Sequence, residues 1–197
     1  MLCRIVIKLE IGVFQVQEVG LKADYQQDAV FALQIRMIPA VAFVPLADVI
    51  PTFEELKAIM PNRATPVLDY FERNYIGQPH QNGNGRAQPL FAPELWNVHL
   101  RTLNGRPRTN NHIEGYHRRF SANVNASKPN VYNFLEVLKR EEHFTRAQIE
   151  QMVAGIDPPP PRKKYRDVNR NIEAIVRRYA RTPRMDYLRG IAYNFNF

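Results

Sequence analysis

The sequence predicts a mainly α-helical protein, on three observations. Apolar residues recur every three or four positions in segment after segment, the spacing of one helix face. Capping residues and prolines stand where such segments begin, and prolines where they stop. The 197 residues, 45% hydrophobic and 23% charged, are enough for one ordinary folded domain with a real core.

The elements follow in order. Ile5, Val6, Ile7 and Leu9 begin a short strand in an otherwise ambiguous start. Residues 25–38 are almost continuously apolar around Phe31, Leu33, Ile35 and Ile38, which predicts a buried helix. Pro39 and Pro45 bracket a short extended stretch, Ala40 to Val44. Val49, Ile50, Phe53, Leu56 and Met60 then share a helix face, with Asp48 as N-cap, Pro51 in the first turn and Pro61 as the stop. Thr65-Pro66 opens another helix through Leu68, Phe71 and Tyr75. Residues 1–75 thus form one helical segment. Residues 76–89 are a Gly, Pro, Asn and Gln loop, a surface excursion and the expected boundary between two halves.

Residues 90–157 come next. Leu90 to Leu100 predict a short helix or an extended segment, with Trp96 in the core. A helix carries Ile113, Tyr116, Phe120 and Val124 on one face. Asn130 caps a helix striped by Val131, Phe134, Leu135 and Leu138. Thr145-x-x-Gln148 is a capping-box pattern that opens a third, with Ile149, Met152, Val153 and Ile156. Pro158 to Pro161 form a spacer. Residues 162–197 are basic helices. Val168, Ile172, Ile175, Val176 and Tyr179 point inward on the first, and Glu173 pairs with Arg177. Thr182-Pro183 starts the last, through Leu188 and Ile191.

Charge is divided unevenly along the chain. Residues 1–100 hold 8 Lys and Arg against 10 Asp and Glu, whereas residues 101–197 hold 19 against 9. A basic half attracts polyanions, because each phosphate it neutralises releases counterions. One cysteine, Cys3, excludes an internal disulfide framework and a cysteine-rich zinc finger. It fits a reducing compartment, nucleus or cytoplasm, rather than secretion. No apolar run is long enough for a membrane span, and the N-terminus is a poor signal peptide, broken by Lys8 and Glu10. There is no P-loop, no Gly-x-Gly-x-x-Gly, no His-Glu-x-x-His and no Gly-x-Ser-x-Gly.

The chemistry-bearing stretch is Arg108-Thr109-Asn110-Asn111-His112-Ile113-Glu114-Gly115-Tyr116-His117-Arg118-Arg119-Phe120. By spacing alone, Asn111 and Glu114 make a capping box, and Glu114 and Arg118 an ion pair. The macrodipole also favours a carboxylate at a helix start. The same string resembles the Asn-Asn-x-x-Glu-Gly segment of Mutator-like element transposases. The flanks resemble that family in the same order: PAVAFVPLADVIPTFEEL, LDYFERNYIG, PLFAPELWNVHLRTLNGRPRTNN and KPNVYNFLEVLKREE. The resemblance runs from about residue 16 to about residue 144.

That resemblance implies an RNase-H-like core in which Asp, Asp and Glu hold two Mg²⁺ or Mn²⁺ ions for strand transfer on DNA. It places Glu114 as the third carboxylate and residues 16–105 in the helical insertion before it. The family's two aspartates precede that insertion. Asp24, Asp28, Asp48 and Asp69 are the candidate replacements here, and all sit inside helical blocks. The expectation is a C-terminal fragment with the core β-sheet missing or minimal. Such a chain needs no cofactor of its own and has no nuclease or transposase activity.

Residual DNA-backbone contact would fall to Arg118, Arg119, Arg162, Lys163, Lys164, Arg166, Arg177, Arg178 and Arg181. The competing expectation is a non-enzymatic interaction module. It would self-associate or bind a protein through the face of Ile113, Tyr116 and Phe120, left without its sheet.

Overall fold

The computed structural model describes residues 16–106, 108, 111–124, 130–156 and 163–195, with the backbone alone for 111–114 and 164. The strand expected from Ile5 to Leu9, the proline spacer and any capping by Asn111 lie outside this description. The described residues are mainly helical and form no strand. They fall into two compact units. One combines Met1–Thr109 with Arg166–Phe197; the other is Asn110–Tyr165.

In the first unit, α1 (Lys22–Gln27) and α2 (Ala29–Ala40) meet at Asp28. The Asp28 side chain accepts from the amides of Val30 and Phe31, both at 3.0 Å, which satisfies two orphan donors at the start of α2. Helix α2 carries Pro39 in its last turn, where the missing amide costs one helical bond and the helix ends one residue later. The predicted extended stretch after it is instead a tight helical turn, Val41–Phe43. Met37 to Val44 is buried throughout. A buried irregular backbone needs partners for its carbonyls, and distant residues supply them. The Val98 amide donates to Ala42 O at 2.8 Å, and Asn97 Nδ2 to Val44 O at 2.8 Å. Phe43 O accepts from His99 Nδ1 at 2.7 Å and from the Tyr187 hydroxyl. A carbonyl only accepts, so His99 carries its proton on Nδ1.

Helix α3 (Val49–Ile59) buries Val49, Phe53 and Leu56. Asp48 does not cap it. Its carboxylate is drawn away by the Tyr179 hydroxyl at 2.9 Å and by Arg184 at 3.4 Å. Helix α4 (Thr65–Phe71) runs into a widened turn, Glu72–Ile76, closed by Gly77 N to Glu72 O at 2.7 Å. Phe53, Phe71, Tyr75, Trp96 and Phe91 then form a cluster of ring contacts, with centroids 5.1–6.3 Å apart. Trp96 is buried as expected, and its indole N–H donates to Phe91 O at 3.0 Å.

The 76–89 loop is folded back on the first unit rather than dividing the chain. Pro79 and Arg86 make an isolated antiparallel bridge, and Ala87 N donates to Gln78 O at 2.8 Å. Arg86 reaches under the loop to the Gly77 carbonyl and to Glu54 and Glu72. Glu72 is buried, and Lys57 meets its second oxygen at 2.6 Å. Gly77 closes this turn at φ +88°, and a Cβ there would lie 2.0 Å from Ala87 O, so only glycine fits. Two short helices, α5 (Pro93–Trp96) and α6 (His99–Leu103), complete the N-terminal part.

The second unit is a helical hairpin of α7 (Asn111–Val124) and α8 (Val131–Val153). Asn130 caps α8, accepting from Asn133 N at 2.7 Å. The third helix expected from Thr145 is a continuation of α8. Thr145 Oγ donates back to Glu141 O at 2.8 Å instead of capping, and no Gly or Pro interrupts residues 131–153. One row of α8, Phe134, Val137, Glu141 and Phe144, faces α7. Phe120 packs edge-on to Phe134 at 5.7 Å, and Val124 and Val137 are buried.

The chain then forms α9 (Lys163–Arg177), a turn at Tyr179–Arg181, and α10 (Arg184–Tyr193). Helix α10 returns to lie against α2, with Tyr187, Leu188, Ile191 and Ala192 fully buried.

Candidate nucleic-acid interface

Helix α9 separates apolar from basic residues. Ile172 and Val176 are buried and Val168, Ile175 and Tyr179 are packed against the core. On the opposite side, Lys163, Arg166, Arg170 and Arg177 are all exposed. At ~100° per residue these four fall within a wedge of about 60°. They make a basic ridge along the helix, followed by the exposed Arg178 and Arg181 at its C-terminal end.

The ridge is held in place from its sides. Arg177 Nη2 donates to Leu103 O at 3.1 Å and pairs with Glu173 at 2.7 Å, the spacing-predicted pair. Arg108 hydrogen-bonds Asn169, and its guanidinium lies 5.6 Å from the Phe43 ring centroid. Burial pushes the Arg108 pKa below its ordinary value, though Glu173 raises it. Tyr179 is tied to Asp48 beyond the ridge. Asp167 lies on the flank of the ridge and Glu173 is already paired, so its outward charge is net positive.

The sequence-predicted contacts are only partly brought together. Lys163, Arg166 and Arg177 stand on the ridge. Arg162 and the side chain of Lys164 lie outside the described residues. Arg118 is exposed on α7 in the other unit. Arg119 is already engaged. Its guanidinium pairs at 2.7 Å with the buried Glu141 and lies 4.8 Å from the Phe144 centroid. Asn123 Nδ2 donates to the other Glu141 oxygen at 2.9 Å. Arg170 is not among the sequence-predicted contacts, although its place four residues after Arg166 and seven after Lys163 is a helical signal.

Glu114 sits in the first turns of α7 by its backbone, and its side chain lies outside the described residues. Three of the four candidate replacement aspartates are committed elsewhere. Asp24 pairs with Arg63 at 3.1 Å, Asp28 caps α2 and also meets Arg63, and Asp48 binds Tyr179 and Arg184. The Phe31 amide, then Arg63, hold the Asp28 carboxyl below its ordinary pKa. Among the described residues, no three His, Cys, Asp or Glu side chains converge to hold a metal ion. Nor is any helix among them long and apolar enough to cross a membrane.

No family model matches the chain, and no curated protein or solved structure matches it.

Proposed function

We propose that this chain is a Mutator-like transposase derivative that contacts the backbone of duplex DNA and does not cut it. The observation that carries the DNA contact is the ridge of Lys163, Arg166, Arg170 and Arg177, presented outward by a helix whose opposite face is sunk in the core. Lysine and arginine in a row along one helix contact phosphates without reading bases. The four ordered sequence blocks around Arg108–Phe120 support the family, with Glu114 at the position of the third carboxylate. The engagement of Asp24, Asp28 and Asp48 in caps and ion pairs supports a chain that holds no catalytic metal. Nuclear or cytoplasmic residence follows from the same reading.

Binding of random duplex by fluorescence anisotropy tests it. Affinity is expected to fall steeply with salt, with a log–log slope of about −0.9 per phosphate contacted. Changing Arg166 and Arg170 to Ala should flatten that slope by about 2. Arg162→Ala, Lys163→Ala and Lys164→Ala should flatten it further. A salt-independent interaction, or none, overturns the DNA reading. Plasmid nicking with Mg²⁺ or Mn²⁺ that is lost in Glu114→Ala overturns the non-catalytic one. A protein-interaction module is the second reading, favoured by the exposed apolar residues of α8.

A further inference from the structure

We propose that Asn84 is a site of spontaneous modification. Its side chain closes on the Gly85 amide, loses ammonia and reopens with water as isoaspartate, which slackens the loop that carries Arg86. An Asn-Gly pair is open to this reaction because glycine has no side chain to shield its nitrogen. Asparagine is thermolabile for such reasons. The chain has three such pairs, Asn82-Gly83, Asn84-Gly85 and Asn104-Gly105. All three asparagines are exposed, so neither sequence nor exposure distinguishes them.

The backbone hydrogen bonds distinguish them. The attacking atom is the glycine nitrogen after it has lost its proton. A hydrogen bond to a carbonyl holds that proton in place and so opposes the step. Gly83 N donates to His80 O at 3.0 Å, and Gly105 N to Thr102 O at 3.1 Å. Among the described residues, no acceptor meets Gly85 N. Asn82 Oδ1 accepts from Asn84 N at 3.1 Å. That bond polarises the Asn82 amide but leaves its nucleophile, Gly83 N, tied to His80.

In the reaction Gly85 N bonds to Cγ of Asn84 and the Cγ–Nδ2 bond breaks. Ammonia leaves with the proton that the nitrogen gave up. Water then opens the cyclic imide at either carbonyl. Opening on the main-chain side yields isoaspartate, with a main chain one carbon longer and a new carboxylate. The change falls just ahead of the contacts that seat Arg86. Gly85 O accepts from His80 N at 3.1 Å, and Arg86 bridges to Pro79. Arg86 in turn holds Glu54, Glu72 and the Gly77 carbonyl. The reaction uses only the loop's own atoms and water, so it does not depend on DNA binding.

Peptide mapping by mass spectrometry of the full chain, aged folded at mildly alkaline pH, tests the assignment. Isoaspartate should build up at Asn84 about fivefold or more faster than at Asn82 or Asn104, the factor that one withheld hydrogen bond supplies. In concentrated urea, which removes those bonds, the three rates should converge. The urea midpoint of the aged protein should fall as isoaspartate accumulates, and Asn84→Gln should keep its midpoint over the same period. Equal rates in the folded chain, no reaction at Asn84, or a preference for Asn84 that persists in urea overturns the choice of site. A midpoint that stays put while isoaspartate accumulates at Asn84 overturns the slackening of the loop.

Discussion

Glu72 shows how one residue organises a segment that has no periodicity of its own. The residue is 4% exposed, and its carboxylate divides its oxygens between Lys57 and Arg86. A buried charge left without its partner costs far more than a surface pair gains. Arg86→Ala should therefore destabilise the fold by about 2–3 kcal/mol in urea unfolding, with Lys57 retaining part of the compensation. A loss within the scatter of a surface mutation would mean that the loop hangs free of Glu72. Asp28 gives a pH-dependent counterpart. Its folded pKa is depressed by the amides it caps and by Arg63, so its stabilising contribution is present above the ordinary value of 3.8. That contribution is lost as pH falls through the lower, folded value. Asp28→Asn still caps but does not titrate. The acid limb of stability against pH should be flatter in that variant than in the wild type, as followed by urea midpoints.

At the scale of elements, α8 is the case where a correct local signal gave a wrong boundary. Thr145-x-x-Gln148 has the residues of a capping box, but a box works only where the backbone leaves the helix. Here Thr145 satisfies itself on Glu141 O and the helix continues to Val153. The real start is Asn130, and Asn130→Ala should cost about 1 kcal/mol of stability. Thermal unfolding read at the hairpin, for instance by a fluorophore on α8, checks this. The hairpin also holds Glu141 buried between Arg119 and Asn123. Arg119→Ala should loosen the pairing of α7 with α8 in hydrogen exchange. It should leave the salt slope of DNA binding nearly unchanged, because that guanidinium already has a partner. A slope flattened as much as by Arg166→Ala would return Arg119 to the interface.

For the whole molecule, the decisive fact is that the first unit is discontinuous in sequence. Its core joins α2 to α10, from opposite ends of the chain. Leu188 is fully buried there, and Leu188→Ala should cost about 2–5 kcal/mol. Deleting residues 184–197 should unfold the first unit outright while the α7–α8 hairpin keeps its helical signal. Circular dichroism and proteolysis of the deletion would show whether the two losses separate in this way. The same closure fixes α9. Its basic ridge faces outward because Ile172 and Val176 are buried in a core completed by α10.

The sequence alone determined the helical class, Trp96 in the core, the Asn130 cap, the Glu173–Arg177 pair and the inward stripe of α9. The class, the cap and the pair rest on contacts within a few residues, and the burial of Trp96 and of the α9 stripe on apolar character and spacing, all of which the sequence encodes directly. Only the tertiary structure decided the rest. Asp48 reads as a cap until Tyr179 and Arg184 arrive from the far end of the chain. Ala40 to Val44 reads as extended between two prolines until Val98, Asn97, His99 and Tyr187 satisfy its carbonyls in a turn. Arg119 reads as a candidate DNA contact, and only the fold shows that Glu141 on the next helix pairs with it. In every one of these the partner lies more than a helical turn away, and local spacing carries no information about which distant residue will claim a polar group.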